Sequence, residues 1–205
     1  MKKKTEAVDL YEYERNLRIE GVGCFCGVDE AGRGPLCGPV YAAAVILPDG
    51  VEIPGLNDSK KLTEKRREVL YEQIIVAARA YSIASVSAKE IDEINILQAT
   101  YRAMSLAIEG LGVEPQLCLI DGNRCEGIAH SCRCVVGGDA KCASIAAASI
   151  LAKVSRDRYM MEYAQKYPQY AFEKHKGYGT KLHYEALRQY GPSPEHRLTF
   201  LKKMH

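Results

Sequence analysis

Apolar residues along the chain occur in two arrangements, short runs and a longer repeat of three to four residues. The short runs cover residues 24–29, 40–47, 80–88, 116–121 and 131–136. Runs of this length, bounded by polar segments or by Gly and Pro, are typical of strands. The segment AGRGPLCGP between the first two runs is rich in glycine and proline, and it predicts a turn that joins them.

The longer repeat predicts helices between the strands. Thr63 can cap a helix that extends to about Ala78, and Ser87 forms a capping-box pattern with Glu90. Behind Ser87, apolar residues recur every three or four positions as far as Leu111. This spacing predicts a single helix with one buried face.

The second half of the chain predicts two more helices. A long helix is expected to open at GGDAK, residues 137–141, and to continue through ASIAAASILAKVSRDRYMMEYAQKY. Another is expected over residues 180–189, where Gly191 and Pro192 end it. Because strands alternate with helices along the whole chain, the pattern predicts an α/β domain with a mixed sheet.

Length and composition limit the class of protein. The chain has 205 residues, of which 47% are hydrophobic and 26% charged. One folded domain is therefore expected, over residues 21–205, preceded by an extension over residues 1–20 that is helical or partly ordered. No apolar stretch approaches the roughly 20 residues of a membrane helix, and the MKKK start lacks an apolar signal segment. We expect a soluble, cytoplasmic protein without a membrane partner.

Charge is unevenly distributed along the chain. Residues 153–205 hold 11 Lys and Arg against 5 Asp and Glu, whereas residues 1–152 hold 17 against 21. A basic C-terminal quarter beside an acidic remainder suits a polyanionic partner held near a cation-binding centre. An ordinary solvated basic surface would give the same count.

Cysteines are the next candidates for chemistry. They stand at positions 24, 26, 37, 118, 125, 132, 134 and 142. No C-x-x-C pair exists, and no histidine lies at the spacing of a zinc finger. Reduced thiols that serve as small core residues are the expected interpretation, and a zinc site or a disulfide is the alternative.

Four carboxylates stand at the ends of predicted elements. Asp29 and Glu30 end the first strand, Asp121 ends the fourth, and Asp139 lies at the start of the long helix. Ligands of α/β sheets bind where strands end, and carboxylate oxygens suit Mg²⁺ or Mn²⁺. Because neighbouring strand residues face opposite ways, Asp29 and Glu30 converge only if the strand ends or bulges at Glu30.

Each carboxylate also has a purely structural explanation. An Asp-Glu pair before a glycine turn is often solvated, and Asp139 could serve only as a helix cap. Asp121 could belong to an ordinary turn with Gly122 and Asn123. The spacing of the residues leaves both interpretations open.

Longer motifs carry a resemblance to a known family. These are GVDEAGRGPLCGPVYAAAVIL (27–47), LNDSKKL (56–62), IDG (120–122), GDAKCASIAAASILAKVSRD (138–157), HKGYGT (175–180) and GPSPEHR (191–197). In this order, over about residues 21–200, the chain resembles bacterial ribonuclease HII, a type 2 ribonuclease H. The resemblance implies a ribonuclease H-like mixed five-stranded sheet flanked by helices, with a C-terminal helical segment. It also implies cleavage of the RNA strand in RNA·DNA duplexes and cleavage at single ribonucleotides embedded in DNA.

The resemblance also implies roles for individual residues. The family's metal-binding, catalytic carboxylates fall on Asp29, Glu30, Asp121 and Asp139. The remaining implied residues contact substrate: Gly32, Arg33 and Gly34 at the 2′-hydroxyl of the RNA–DNA junction, Tyr178 on the neighbouring sugar, and Lys60 and Lys176 on phosphates. An RNA·DNA hybrid or a ribonucleotide-containing DNA duplex is the expected partner, and a monomer the expected state.

The implied chemistry agrees with the carboxylates. Phosphodiester hydrolysis needs an activated water and a stabilised leaving oxygen, which two divalent cations held by carboxylates supply. The products would carry a 3′-hydroxyl and a 5′-phosphate. The alternatives are another carboxylate-metal nuclease on a related sheet and a non-catalytic nucleic-acid-binding domain. A metal-free mechanism would need paired histidines, and the sequence suggests no such pair among His130, His175, His183, His196 and His205.

Overall fold

The computed structural model describes residues 9–202, which build one five-stranded sheet with helices on both faces. The strand order is β3-β2-β1-β4-β5. The strands are β1 (Phe25–Ala31), β2 (Val40–Ile46), β3 (Ala80–Val86), β4 (Leu117–Asp121) and β5 (Cys132–Val135). Strand β1 pairs antiparallel with β2 and parallel with β4, so the sheet is mixed, as the sequence predicts.

The helices fill the connections between the strands. They are α1 (Glu12–Ile19), α2 (Glu64–Ala77), α3 (Ala88–Ile94), α4 (Ile96–Glu109), α5 (Ala143–Lys166), α6 (Phe172–His175), α7 (Lys181–Tyr190) and α8 (Leu198–Leu201). Thr63 caps α2 by accepting a hydrogen bond from the Arg66 N–H, and Ser87 caps α3 through the Glu90 N–H. Both predicted caps are present because their hydroxyls accept N–H groups that the first helical turn leaves unpaired.

Two hydrophobic layers enclose the sheet. Helix α4 packs its buried face on one side, together with the side chains of Val28 and Ile120. Helix α5 packs on the other side through a row of small residues that lie close to the sheet. At Gly27 a Cβ atom would lie 2.2 Å from the backbone of Ser144, so glycine allows α5 to approach β1 directly. The start of α5 is thereby fixed against the strand that carries Asp29.

Two predicted helix boundaries are wrong. The helix expected from Ser87 to Leu111 divides at Asn95, which has φ 68° and caps α4 with its side chain. The combination of φ 68° and ψ 163° is strained for a residue with a Cβ atom, and the Asn95 side-chain oxygen offsets this by accepting the N–H groups of Leu97 and Gln98. The long helix begins at Ala143, because residues 138–140 form a separate 3₁₀ turn that holds Asp139.

The N-terminal extension contributes helix α1 over the part that the structure describes, while residues 1–8 lie outside the described residues. Leu17 is buried beside Phe25, and the buried Glu14 accepts the Ser144 N–H at 2.6 Å. The division of the chain into an extension and a domain stays a prediction. Among residues 9–202, no helix is both long and apolar enough to cross a membrane.

The eight cysteines are free thiols. Cys26, Cys37, Cys118 and Cys142 are buried among apolar side chains, where a small residue fits. Cys125 and Cys134 lie nearest to one another, with 3.0 Å between their sulfur atoms. Within residues 9–202, thiols form no cluster of three or more ligands that could hold a metal ion.

Candidate active site

Three carboxylates meet at one edge of the sheet. Strands β1 and β4 run parallel with Val28 beside Ile120, so Asp29 and Asp121 leave neighbouring strands together. Asp139 arrives from the 3₁₀ turn after β5, and the Gly138 N–H donates to Asp121 Oδ1 at 2.7 Å. One oxygen from each aspartate lies within 4.8 Å of the others. We call these three aspartates the acidic edge.

The buried Asp29 is oriented by two neighbouring groups. The Glu30 N–H donates to Asp29 Oδ1 at 2.7 Å, and the Ser149 side chain hydrogen-bonds to the same carboxylate. Ser149 Oγ lies 2.7 Å from Ser59 Oγ, so a hydroxyl pair on α5 and on the loop before α2 stands behind Asp29. Neither serine is predicted as a site residue from the sequence, although both lie within the motifs LNDSKKL and GDAKCASIAAASILAKVSRD.

Glu30 does not join the acidic edge. The prediction that Asp29 and Glu30 end the first strand is wrong, because β1 continues through Ala31 in unbroken register. The strand end or bulge that would let the two carboxylates converge is absent, so they face opposite sides of the sheet. Glu30 instead lies 3.4 Å from the Arg33 guanidinium. Its side chain reaches a cavity of about 380 Å³ that Asp121 also lines. Glu30 therefore stands beside the acidic edge, on the side of the cavity.

Burial makes the negative charge of these carboxylates unfavourable. It raises the pKa of Asp29 well above its usual value, and the neighbouring Glu30 and Asp121 raise it further. Burial also raises the pKa of Asp121, with Asp139 adding to the effect, and that of Glu30, where Arg33 opposes it. Hard oxygen donors that are buried close together and lack sufficient positive charge fit a divalent cation.

Lys60 supplies the nearest positive charge. Its ammonium lies 2.9 Å from Asp139 Oδ2, and this hydrogen bond raises the pKa of Lys60. The side chain is otherwise exposed, so it can move towards a phosphate. Lys176, which was predicted to contact phosphate too, directs its ammonium to the Glu173 carbonyl at 2.8 Å and to Met161 Sδ at 2.9 Å. The structure thus brings Lys60 to the carboxylates and turns Lys176 back onto its own segment.

Residues 32–34, here called the glycine loop, follow the acidic edge directly. Gly32 has φ +99°, and a Cβ atom there would lie 2.2 Å from Arg156 Nε, so glycine is required. A Cβ atom on Gly34 would lie 3.8 Å from the Tyr178 ring. Arg33 is half exposed. The predicted substrate residues of HKGYGT and of the loop therefore lie side by side, although 144 positions separate Tyr178 from Gly34.

Two buried arginines hold residues 32–39, the segment that begins with this loop. Arg197 donates to the carbonyl oxygens of Gly32, Arg33, Pro35 and Gly38, at 2.6–3.0 Å. Arg156 donates to the carbonyls of Cys37, Pro39 and Lys176, at 3.0–3.2 Å. Burial and the neighbouring Arg156 lower the pKa of Arg197 to about 9, which still leaves it cationic at neutral pH.

The roles of these arginines were not predicted from the sequence. Both contribute to the basic C-terminal quarter, yet their side chains are fully buried and cannot form a surface for a polyanion. Arg156 lies in VSRD and Arg197 lies in PEHR, and their place within these family motifs was the signal that could have identified them. The sequence also suggested no paired histidines, whereas His183 and His196 lie 2.9 Å apart through their Nε2 atoms.

The mixed five-stranded sheet with its acidic edge places the chain in the ribonuclease H-like class of nucleases. A family model described as Ribonuclease HII matches residues 26–205, nearly nine-tenths of the chain. The chain belongs to the ribonuclease HII family. The resemblance seen in the sequence is thereby confirmed, as is the predicted fold, and the protein is a ribonuclease H, a hydrolytic nuclease.

Individual relatives agree with this assignment. The ribonuclease HII of Caldicellulosiruptor bescii is 54% identical over 200 residues, 98% of this chain and 97% of that protein. The crystal structure of ribonuclease H2 from Pyrococcus horikoshii OT3 has a TM-score of 0.71 at 31% identity, over 85% of this chain and 92% of that one. A structure of Bst-RNase HIII in complex with Mn²⁺ shares the fold at 18% identity, with a TM-score of 0.66 over 85% and 66% of the two chains.

Proposed function

We propose that this protein is an endonuclease that cuts the RNA strand of RNA·DNA hybrids and cuts on the 5′ side of ribonucleotides embedded in duplex DNA. One observation carries the proposal. Three carboxylate oxygens lie within 4.8 Å of one another, immediately beside the glycine loop and the Tyr178 ring. A centre suited to hydrolysis and a group of residues suited to reading a sugar therefore share one surface.

Metal binding is the first part of the proposal. Asp29, Asp121 and Asp139, with Glu30 beside them, would hold two Mg²⁺ or Mn²⁺ ions, which when bound supply an activated water and charge stabilisation for hydrolysis to a 3′-hydroxyl and a 5′-phosphate. The raised pKa values of Asp29, Glu30 and Asp121 support this assignment. The hydrogen bonds from the Glu30 N–H to Asp29 and from the Gly138 N–H to Asp121 orient their carboxylates before any ligand binds.

Recognition of the ribonucleotide is the second part. The 2′-hydroxyl distinguishes RNA from DNA and is reachable from the minor groove. Gly32 and Gly34 allow their backbone to approach the sugar closely, and Arg33 can hold a phosphate. The Tyr178 ring, which is 43% exposed, can pack on the next sugar and favour one that lacks a 2′-hydroxyl. Lys60 would contact a phosphate near the acidic edge.

The sequence left open a non-catalytic nucleic-acid-binding domain and a carboxylate-metal nuclease that cuts DNA, and membership of the ribonuclease HII family disagrees with both. An end-labelled DNA duplex with one embedded ribonucleotide separates them. We expect a single cut 5′ to the ribonucleotide with Mg²⁺, no cut with a chelator, and no cut of the all-DNA duplex. Cleavage of the all-DNA duplex at a similar rate would favour the DNA nuclease, and binding without cleavage would favour the binding domain.

Tyr178 and Lys176 give a matched test of recognition because they belong to the same short segment. Replacing Tyr178 by Ala should reduce cleavage at a single embedded ribonucleotide by about tenfold or more, the effect of losing one aromatic contact to a nucleotide. It should also weaken the preference for an RNA–DNA junction over continuous RNA. Lys176→Ala should change either quantity much less. Unchanged cleavage positions and rates for Tyr178→Ala would remove Tyr178 from recognition.

A further inference from the structure

Two buried histidines form a direct hydrogen bond behind Tyr178. His183 lies in the first turn of α7, and His196 lies in the segment before α8. Their Nε2 atoms are 2.9 Å apart, and their side chains are 0% and 3% exposed. Two imidazole nitrogens can share a hydrogen bond only if one carries a proton and the other does not. The surrounding contacts decide which one does.

The partners of the two Nδ1 atoms fix the proton positions. The Ser193 N–H donates to His196 Nδ1 at 2.8 Å, so this nitrogen is an acceptor and Nε2 of a neutral His196 carries the hydrogen. His196 therefore donates to His183 Nε2. His183 must then carry its hydrogen on Nδ1, which lies 2.9 Å from the carbonyl oxygen of Tyr178. The hydrogen bonds run in one direction, from Ser193 through both rings to Tyr178.

The same chain of contacts begins on another helix. The Tyr163 hydroxyl on α5 donates to Ser193 Oγ at 2.9 Å, and Ser193 Oγ is 2.7 Å from His196 Nδ1. Burial lowers the pKa of His183 and of His196 to about 4, so both rings are neutral near pH 7. A second proton on either ring would place two N–H groups against each other. The single-proton arrangement is thus the stable one at neutral pH.

The Tyr178 ring stands at the surface with two cations near the outer limit of cation–π distance. It is partly exposed, and the nearest cations, Lys153 Nζ and the Arg156 guanidinium carbon, stand 6.0 and 5.8 Å from its centroid. Its backbone is held instead, because its carbonyl accepts from both the Thr180 N–H and His183 Nδ1. Fixing this peptide group fixes the direction in which the ring leaves the chain.

We propose that His183 and His196 are positioning residues that hold the Tyr178 backbone so that its ring stands beside Gly34. This inference rests on the proposed role of Tyr178 in reading the sugar next to the ribonucleotide. It assigns different tasks to the two nitrogens of His183. Nδ1 holds Tyr178, and Nε2 only receives the hydrogen bond that fixes the tautomer.

Two conservative substitutions separate these tasks. In His183→Asn the side-chain amide can occupy the place of Nδ1–H and still donate to the Tyr178 carbonyl. In His183→Gln the amide can occupy the place of Nε2 and still contact His196, but it leaves that carbonyl without the side-chain donor. A residue that merely fills the core would tolerate both changes alike or neither.

The first measurement is ¹⁵N NMR of the imidazole rings in the unmodified protein at pH 7, which needs no variant to fold. We expect His183 to carry its proton on Nδ1 and His196 on Nε2. The opposite tautomer of either ring, or a doubly protonated ring, would overturn the proposal.

The second measurement is the ratio of cleavage rates at an RNA–DNA junction and within continuous RNA, with unfolding temperatures recorded in parallel. His183→Asn should keep the ratio within about twofold, and His183→Gln should lower it towards that of Tyr178→Ala. If Tyr178→Ala lowers the ratio but the Asn and Gln variants of His183 give equal ratios, the positioning role of His183 and His196 is overturned and the role of Tyr178 is not. An unchanged ratio in Tyr178→Ala would overturn both the role of Tyr178 and the inference that depends on it.

Discussion

The acidic edge and the glycine loop lie next to each other but are held by opposite means. Regular strands and one 3₁₀ turn place the three aspartates close together. Their negative charges repel one another, and burial makes those charges still less favourable. The glycine loop has no regular structure. The buried Arg197 holds its Gly32 and Arg33 carbonyls, and the buried Arg156 holds the Pro39 carbonyl further along the same segment. One region has an excess of buried negative charge, and beside the other lie two buried guanidinium groups that donate to backbone carbonyls.

This difference indicates a division of labour. A site that must take up cations benefits from carboxylates that are unfavourable when alone, because binding relieves their repulsion. The proposed reading of a sugar by the loop would benefit from one fixed shape, and Arg197 favours it by engaging the carbonyls of Gly32 and Arg33 together with those of Pro35 and Gly38. The two regions should therefore respond differently to substitution, to pH and to Mg²⁺.

The largest expected effect follows from removing one charge of the acidic edge. Asp121→Asn should lower turnover by about a thousandfold or more, of the order seen when a preorganised electrostatic group is lost. Binding of the duplex should change little, because Asp121 would hold a cation and not a phosphate. Asp49→Asn, on an exposed side chain, is the matched control. Full activity of Asp121→Asn at ordinary Mg²⁺ would exclude Asp121 from the site.

The next effect concerns the stability of the glycine loop. Arg197→Met leaves the carbonyls of Gly32, Arg33, Pro35 and Gly38 without their buried donors, and each such loss costs about 1–3 kcal/mol before relaxation.

We expect the free energy of unfolding to fall by about 3 kcal/mol. Arg188→Met, at an exposed position of α7, is the control for loss of a positive charge. The free energy of unfolding of both variants is measured by chemical denaturation. A cost below about 0.5 kcal/mol, the range of ordinary surface substitutions, would show that Arg197 does not hold the loop.

More of the acidic edge than of the glycine loop could be predicted from the sequence. Strand ends follow from local apolar runs, so Asp121 lies at the end of β4 as predicted, whereas β1 runs two residues past Asp29 to Ala31. The orientation of Glu30 could not be predicted, because the bend that would turn its side chain towards Asp29 depends on backbone geometry that the Gly-rich segment permits but does not require.

The glycine loop depends on contacts that no local pattern reveals. Arg197 lies 165 positions from Gly32 and looks in sequence like any surface arginine. The pairing of His183 with His196 likewise requires α7 and the final segment to fold together. Side chains brought together only by tertiary structure were therefore the ones missed.

A third effect is stabilisation by Mg²⁺ that increases with pH. The pKa values of Asp29 and Asp121 are raised in the folded chain. Without a cation, their contribution to stability is therefore present at low pH and is lost as pH rises through those values. Mg²⁺ competes with protons, so it should stabilise the fold more at pH 8 than at pH 5.

At a hundred times its dissociation constant, Mg²⁺ should add about 2.7 kcal/mol at pH 8, seen as a rise of several degrees in the unfolding temperature. The same titration on Asp121→Asn is the control and should show a smaller rise. Equal stabilisation at both pH values would argue against cation binding by these carboxylates.

The smallest effect concerns Lys60, whose ammonium lies beside the acidic edge. Lys60→Met removes the ammonium that lies 2.9 Å from Asp139. Because the Lys60 side chain is 76% exposed, the pair contributes at most about 1 kcal/mol, and the Mg²⁺ concentration for half-maximal activity should fall by up to about fivefold. Lys61→Met is the control, since Lys61 lies 3.9 Å from Asp58 instead. An increased Mg²⁺ requirement in Lys60→Met would contradict competition between Lys60 and the cation.

Separation of chemistry from recognition is the central claim, and binding by Asp121→Asn tests it most directly. Its affinity is measured for a DNA duplex with one embedded ribonucleotide and for the all-DNA duplex of the same sequence. We predict that this inactive variant still prefers the ribonucleotide duplex, and that adding Tyr178→Ala removes most of that preference. Equal affinity of Asp121→Asn for both duplexes, beside a clear preference in the unmodified protein, would show that the carboxylates themselves read the ribonucleotide.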